Sequence, residues 1–179
     1  GCKGVARVYG WDAAAGWWAQ TGADLTGGSG GDEAGASLAL SADGATLVVG
    51  LPGYNGASTD SGGAHVYALS AALTDLSWEV KGNYILGAAA GDRAGEAVAI
   101  SAAGDVVAVG SSRHKDGTGA VFVYDYDASA DDWSQRDDAS FAHLSKSAED
   151  WAGSSVALSA AGDVVAFGAP GRDAGGTNA

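Results

Sequence analysis

Apolar and polar positions along this chain alternate in short runs, and the same run returns three times. In "SLALS" (37–41) and "SVALS" (155–159) large aliphatic residues alternate with Ala and Ser, the period-2 signature of a strand with two unlike faces. One face carries Leu38 and Leu40, Val98 and Ile100, and Val156 and Leu158; the other carries Ala39, Ala99 and Ala157. Alanine at every repeat of that second face predicts a place where a neighbouring sheet comes close. The strings "SADG" and "SAAGD" follow, and their glycine supplies the positive φ that a tight hairpin needs. "TLVVG", "VVAVG" and "VVAFG" come next, too short for a helix and suited to a strand buried on both sides. After a polar loop, "GVARVY", "GAHVY" and "GAVFVY" predict a third strand, and a tryptophan segment a fourth.

Spacing establishes that these are repeats. Gly35, Gly95 and Gly153 lie 60 and 58 residues apart, and two further glycine series (44, 104, 162 and 50, 110, 168) keep the same intervals. Tyr9, Tyr67 and Tyr124 follow at 58 and 57, and Trp18, Trp78 and Trp133 at 60 and 55. Between 91–111 and 149–169, 14 of 21 residues are identical. A single four-stranded unit leaves an apolar face uncovered, so it needs copies of itself alongside. A repeat near 60 residues with four antiparallel strands predicts an all-β fold of β-propeller blades. The blades divide as 1–30 (partial), 31–90, 91–148 and 149–179 (partial): two full blades and two partial ones of an incomplete propeller, with further blades expected in a longer parent chain.

The repeats resemble FG-GAP proteins, the propeller repeats of integrin α-chains and of many secreted or surface proteins. Gly168-Ala169-Pro170 matches the family's "GAP", Gly50-Leu51-Pro52 nearly so, and Gly110-Ser111-Ser112 keeps only the glycine. Ala34-Gly35, Ala94-Gly95 and Ala152-Gly153 stand where the family has an aromatic-Gly pair. The resemblance implies a non-catalytic interaction module at the cell surface or outside the cell, with a protein or glycan ligand. An alternative is the propeller part of a secreted polysaccharide-acting hydrolase or lyase. Calcium-binding members carry a D-x-D-x-D-G type loop after the "SVA" strand; here Asp43, or Asp105 and Asp163, stand alone in that place. No cofactor or metal is therefore expected, and these aspartates read as turn residues bonding local backbone.

Composition narrows the partners. Nine Lys and Arg against 22 Asp and Glu give a net charge of −13, which repels nucleic acid and anionic lipid surfaces. No apolar run reaches the length of a membrane span, so no direct membrane insertion is expected. Gly and Pro together make 32 of 179 residues, below the level of low-complexity disorder, and Cys2 is the lone cysteine. "GGSGGD" (27–32) fits one β-roll calcium repeat but does not recur, and "DYDASADD" (125–132) reads as a solvated acidic loop. His65 shares the register of Arg7 and Phe122, which predicts a partly exposed strand face.

Binding candidates fall in two corresponding loops, "SRHKDG" and "GRDAGG": Arg113, His114, Lys115 and Asp116 in the first, Arg172 and Asp173 in the second. Loops of a ring of blades gather at one rim, where ligands bind. Trp18, Trp78 and Trp133 read as packing residues, whereas Trp11, Trp17 and Trp151 are unrepeated and free to meet a ligand. No nucleophile or zinc-protease string is present, so no catalytic residue is assigned.

Overall fold

A computed structural model describes residues 1–71, 76–136 and 147–172. Among the described residues the chain is all-β apart from one single helical turn at His114–Gly117, and the strands form several separate antiparallel sheets, none closed on itself. Among the described residues no helix is long and apolar enough to cross a membrane.

The first unit runs through β5 (Ser37–Leu40), β6 (Thr46–Leu51), β7 (Gly63–Ala71) and β8 (Leu76–Val80), each hydrogen-bonded to the next. The second repeats it with β10 (Ala97–Ile100), β11 (Val106–Ser111), β12 (Ala120–Asp127) and β13 (Asp132–Gln135). The register repeats too: Leu38 faces Val49 and Val98 faces Val109 across the first hairpin, and Leu47 faces Tyr67 as Val107 faces Tyr124. A third hairpin, β14 (Ser155–Leu158) with β15 (Val165–Gly168), corresponds to the first two strands of a unit. At the other end β2 (Tyr9–Asp12) and β3 (Trp17–Gln20) correspond to the last two.

Two details depart from the four-strand expectation. The Tyr9 strand is split, with β1 (Val5–Ala6) preceding β2, and β1 pairs with a short β4 (Leu25–Thr26). Likewise β9 (Ile85–Leu86) pairs with the start of β7, so the first unit carries a fifth strand.

Burial follows from stacking of one unit on the next. All six residues of β6 and all six of β11 are buried, because alternate side chains enter different interfaces. Val48, Ala64 and Val66 of the first unit form one core with Val98, Val107, Val109 and Trp133 of the second. Ala99, Val106, Ala108, Val121 and Val123, from the opposite face of the second unit, meet Val156, Leu158, Val165 and Phe167. Leu47, Val49 and Leu51 meet Ala6, Val8 and Leu25 on the near side. Each Val or Leu side chain among these that is fully removed from water contributes about 1.5–3 kcal/mol. The alanine face is indeed where the next sheet approaches closely.

Three sets of hydrogen bonds tie successive units in register. The Ala42 amide donates to the Ala102 carbonyl at 3.1 Å, and the Ala102 amide to the Ala160 carbonyl at 2.9 Å. The Trp78 indole N–H donates to the Thr21 carbonyl at 3.0 Å, and that of Trp133 to the Lys81 carbonyl at 2.8 Å. The Lys81 ammonium donates to the Gly104 carbonyl at 2.6 Å, and the Arg136 guanidinium to that of Gly162 at 2.7 Å.

The turn aspartates serve the hairpins. The Ser101 hydroxyl donates to Asp105 and the Ser159 hydroxyl to Asp163, both at 2.7 Å, while the same serine oxygens accept the amides of Val106 and Val164, respectively, at 3.0 Å. Asp43 accepts from the Ser41 hydroxyl and from the Ala45 amide. The 125–132 segment is a hairpin turn whose residues 127–131 are exposed, and Asp131 accepts the Tyr126 hydroxyl at 2.6 Å.

Candidate functional site

The string G/E-D-x-A-G recurs at 31–35, 91–95 and 149–153, and it builds one end of every unit. Its aspartate is buried: Asp32, Asp92 and Asp150 are 1%, 3% and 4% exposed. Each carboxylate accepts a backbone amide three residues earlier, from Ser29 (2.7 Å), Ala89 (2.9 Å) and Ser147 (3.3 Å). The alanine that follows bridges in parallel to the preceding unit, in the pairs Gly4 with Ala34, Gly62 with Ala94 and Gly119 with Ala152. Held between cap and bridge, the variable residue takes a left-handed backbone: Glu33, Arg93 and Trp151 have φ of 58°, 53° and 52°. Such a conformation is uncommon for any residue other than glycine, and it marks positions that the surrounding structure over-determines. The result is one position per unit, at the same end, that varies while its frame does not.

Around the second and third of these positions lies a cleft of about 570 Å³, lined by Glu96, Ser112, Arg113, Asp116, Glu149 and Trp151 among others. Glu96 is its most constrained member. Its carboxylate takes the Arg93 guanidinium at 3.0 Å, a short hydrogen bond from the Ser112 hydroxyl, and Arg113 at 3.8 Å. Arg93 also reaches Glu33 at 2.6 Å, linking the first two rim positions. The Arg113 side chain is 64% exposed, and Trp151 is 44% exposed with its backbone amide fixed on the Gly117 carbonyl at 2.9 Å. The cleft therefore holds a fixed carboxylate, an exposed guanidinium at its edge, two further acids and an indole.

The structure divides the predicted binding residues. Arg113 and Asp116 line the cleft; Lys115 is exposed but lies outside its lining, as does the exposed Arg172. Asp173 lies outside the described residues. His114 is corrected from a rim ligand to a framework residue: it is 8% exposed, its Nδ1 stands 2.9 Å from Asp92 Oδ2, and its ring meets Phe122 edge-on. It turns inward because Lys115 and Asp116 take left-handed φ values of 49° and 57°, which fold the loop back upon its own start. Sequence reading did not single out Glu96, Glu149 or the buried aspartates. The aspartates were detectable, since they repeat at 60 and 58 like the glycines beside them.

His65 is likewise corrected, from a partly exposed to a buried position. It is 7% exposed, stacked on Tyr84 at 3.7 Å with Tyr54 edge-on at 5.4 Å, and its Nε2 has no hydrogen-bond partner. Burial pushes its pKa down from the ordinary 6.5 to about 4, against a smaller opposing pull from Asp32. The unfolded chain then binds this proton more readily than the folded one. Stability should hold above pH 6.5, fall as pH drops from there to 4, and level off for this group below it, by about 2–3 kcal/mol. Urea midpoints of the parent and of His65→Phe, compared between pH 7 and 4, check this: the parent should lose the larger share.

No protein-family model matches the sequence, and no curated protein does so significantly. Among the described residues no three His, Cys, Asp or Glu side chains gather as a metal site.

Proposed function

We propose that this chain is a section of an FG-GAP-like β-propeller that acts as a non-catalytic binding module, taking a glycan at the cleft between its second and third units. Stacked, in-register units of four antiparallel strands support the propeller reading. The observation that carries the ligand class is the half-exposed Trp151 indole set beside Arg113, Asp116 and Glu149. An indole face offers apolar contact to the C–H face of a sugar ring, and the charged groups offer donors and acceptors to its hydroxyls. Glu96, locked by Arg93 and Ser112, acts as a fixed acceptor. A protein ligand would use the same rim, and an extracellular or cell-surface setting suits a glycan or protein partner of either kind.

Titration with a panel of neutral and acidic oligosaccharides, followed by amide chemical shifts, tests the assignment. Shifts should concentrate at 112–117 and 149–154, and Trp151→Ala should weaken binding about tenfold or more, equivalent to ~1.4 kcal/mol. Shifts elsewhere, or an unchanged Kd in the variant, would remove the site. Following the same mixtures for shortened products tests the hydrolase or lyase alternative, for which the proposal expects no turnover.

A further inference from the structure

Asn55-Gly56 is the one Asn-Gly pair in the sequence; the other asparagines, Asn83 and Asn178, precede Tyr84 and Ala179. Both residues of the pair are exposed, in the loop that leads from β6 to β7. That loop is closed at its neck, where the Gly62 amide donates to the Tyr54 carbonyl at 2.9 Å and the Tyr54 amide to the Leu51 carbonyl at 3.1 Å. Within it the Asn55 side-chain oxygen accepts the Asp60 amide at 2.7 Å. The carboxamide is thus held with its carbonyl polarised by a backbone donor, and the residue after it has no Cβ to hinder the approach of its own nitrogen.

We propose that Asn55 is a site of spontaneous covalent modification, in which the Gly56 backbone nitrogen displaces the side-chain amide. The Gly56 nitrogen gives up its proton and bonds to Asn55 Cγ; the Cγ–Nδ2 bond breaks, and ammonia leaves with that proton, so that a five-membered imide remains. Water then opens the imide at one of its two carbonyl carbons. Opening at Cγ gives aspartate, whereas opening at the main-chain carbon gives isoaspartate, in which the chain runs through the side-chain carboxyl and is longer by one methylene. The balance is one water consumed, one ammonia released and one negative charge gained, with no oxidant and no enzyme. Asn83 lacks the same opportunity, because Tyr84 after it carries a ring stacked on His65 at 3.7 Å.

The loop that carries the pair also supplies acceptors to the rim. The Thr59, Asp60 and Ser61 carbonyls accept the amides of Gly91, Arg93 and Ala94 at 3.0, 3.2 and 3.0 Å, and Arg93 in turn holds Glu33 and Glu96. A methylene inserted between the Tyr54 neck and these carbonyls puts the two sets of bonds out of step. Isoaspartate at 55 therefore loosens the rim frame, while aspartate, on an ordinary backbone, leaves it in place. The modification acts as a timer on that frame, whatever the rim binds.

Ageing the purified chain at pH 8 and 37 °C, followed by peptide mass spectrometry and an isoaspartate-specific methylation assay, tests this. The peptide holding Asn55 should gain one mass unit at least about tenfold faster than the peptide holding Asn83, a barrier difference of about 1.4 kcal/mol. The folded chain should convert within about threefold of its rate in concentrated urea, since the fold leaves the pair open. Asn55→Gln, whose longer side chain must close a larger ring, should stay unmodified at that position over the same period. In the aged chain the Gly91, Arg93 and Ala94 amides should exchange about tenfold faster or more while those of β6 and β11 keep their protection, and Asn55→Asp should match the fresh chain. An Asn55 that lasts as long as Asn83, or a folded chain that converts more than about tenfold slower than the unfolded one, would overturn the site. Unchanged exchange at 91, 93 and 94 in a chain shown to hold isoaspartate would overturn its link to the rim.

Discussion

Gly110→Ala should destabilise the chain by about 3 kcal/mol or more, whereas Gly168→Ala, at the same place in the repeat, should cost less than about 1 kcal/mol in dilute solution. Neither glycine has a positive φ, so the difference is one of space. A Cβ on Gly110 would stand 2.1 Å from the carbonyl oxygen of Gly153, which belongs to the next unit and whose amide donates a hydrogen bond to the Gly168 carbonyl at 2.9 Å. Backbone on both sides leaves nothing free to move. A Cβ on Gly168 would meet only the Ser155 hydroxyl, at 2.6 Å, and that side chain can rotate away. Gly50 behaves as Gly110 does, with the Gly95 carbonyl 2.1 Å from its added carbon. Urea unfolding of the two variants separates a requirement of the strand, which both would share, from a requirement of the packed neighbour, which only Gly110 has.

Trp133→Ala should lose about 3–5 kcal/mol, the range for emptying a buried aromatic site. Its ring is 8% exposed, packs within the core shared by the first and second units, and donates its indole N–H to the Lys81 carbonyl at 2.8 Å. Removing it also exposes the edge of Gly82, whose added carbon would lie 2.7 Å from that ring, a measure of how closely the indole covers the neighbouring loop. Trp18→Ala, the repeat-equivalent change, should cost under about 1 kcal/mol in a dilute, single chain, since Trp18 is 65% exposed and its ring lies against that of Trp11 across the hairpin at 5.6 Å. Thermal unfolding of both variants at low concentration gives the comparison. Equal losses would mean that the tryptophan stabilises its own strand and not the joint between units.

Most of the architecture is legible in the sequence because it is written three times. Period-2 alternation places β5, β10 and β14, and the glycine intervals place their turns. The strands that escaped notice are the shortest: Leu25–Thr26 and Ile85–Leu86 are two residues each, too brief for any alternation to register. Of the string 112–117 that its chemistry singled out, Ser112, Arg113, Asp116 and Gly117 line the cleft, but their partners were not legible. His114 looks like a solvent-facing loop residue until Asp92, 22 residues earlier, is placed beside it. Glu96 looks like an ordinary surface acid until Arg93, Ser112 and Arg113 converge on it. Apart from Arg93, three residues before Glu96, these partners lie 16 to 22 residues away, and no spacing rule brings them together. His65 was misjudged for a related reason. Its register with Arg7 and Phe122 describes a position, whereas its burial comes from Tyr54 and Tyr84, which lie in loops with no repeat-wide pattern.

Amide hydrogen exchange at three equivalent alanines tests the central claim, that each unit is held by the one after it, most directly. Ala42 and Ala102 donate across unit boundaries at 3.1 and 2.9 Å, while Ala160, their counterpart, faces no further unit among the described residues. In a dilute single chain, Ala42 and Ala102 should be protected to the level of the strand amides beside them, and Ala160 should exchange at close to the rate of open loops. Ala42 and Ala102 exchanging as fast as Ala160, while the ladders within β6 and β11 stay protected, would mean that the sheets form without stacking, and the account would be wrong.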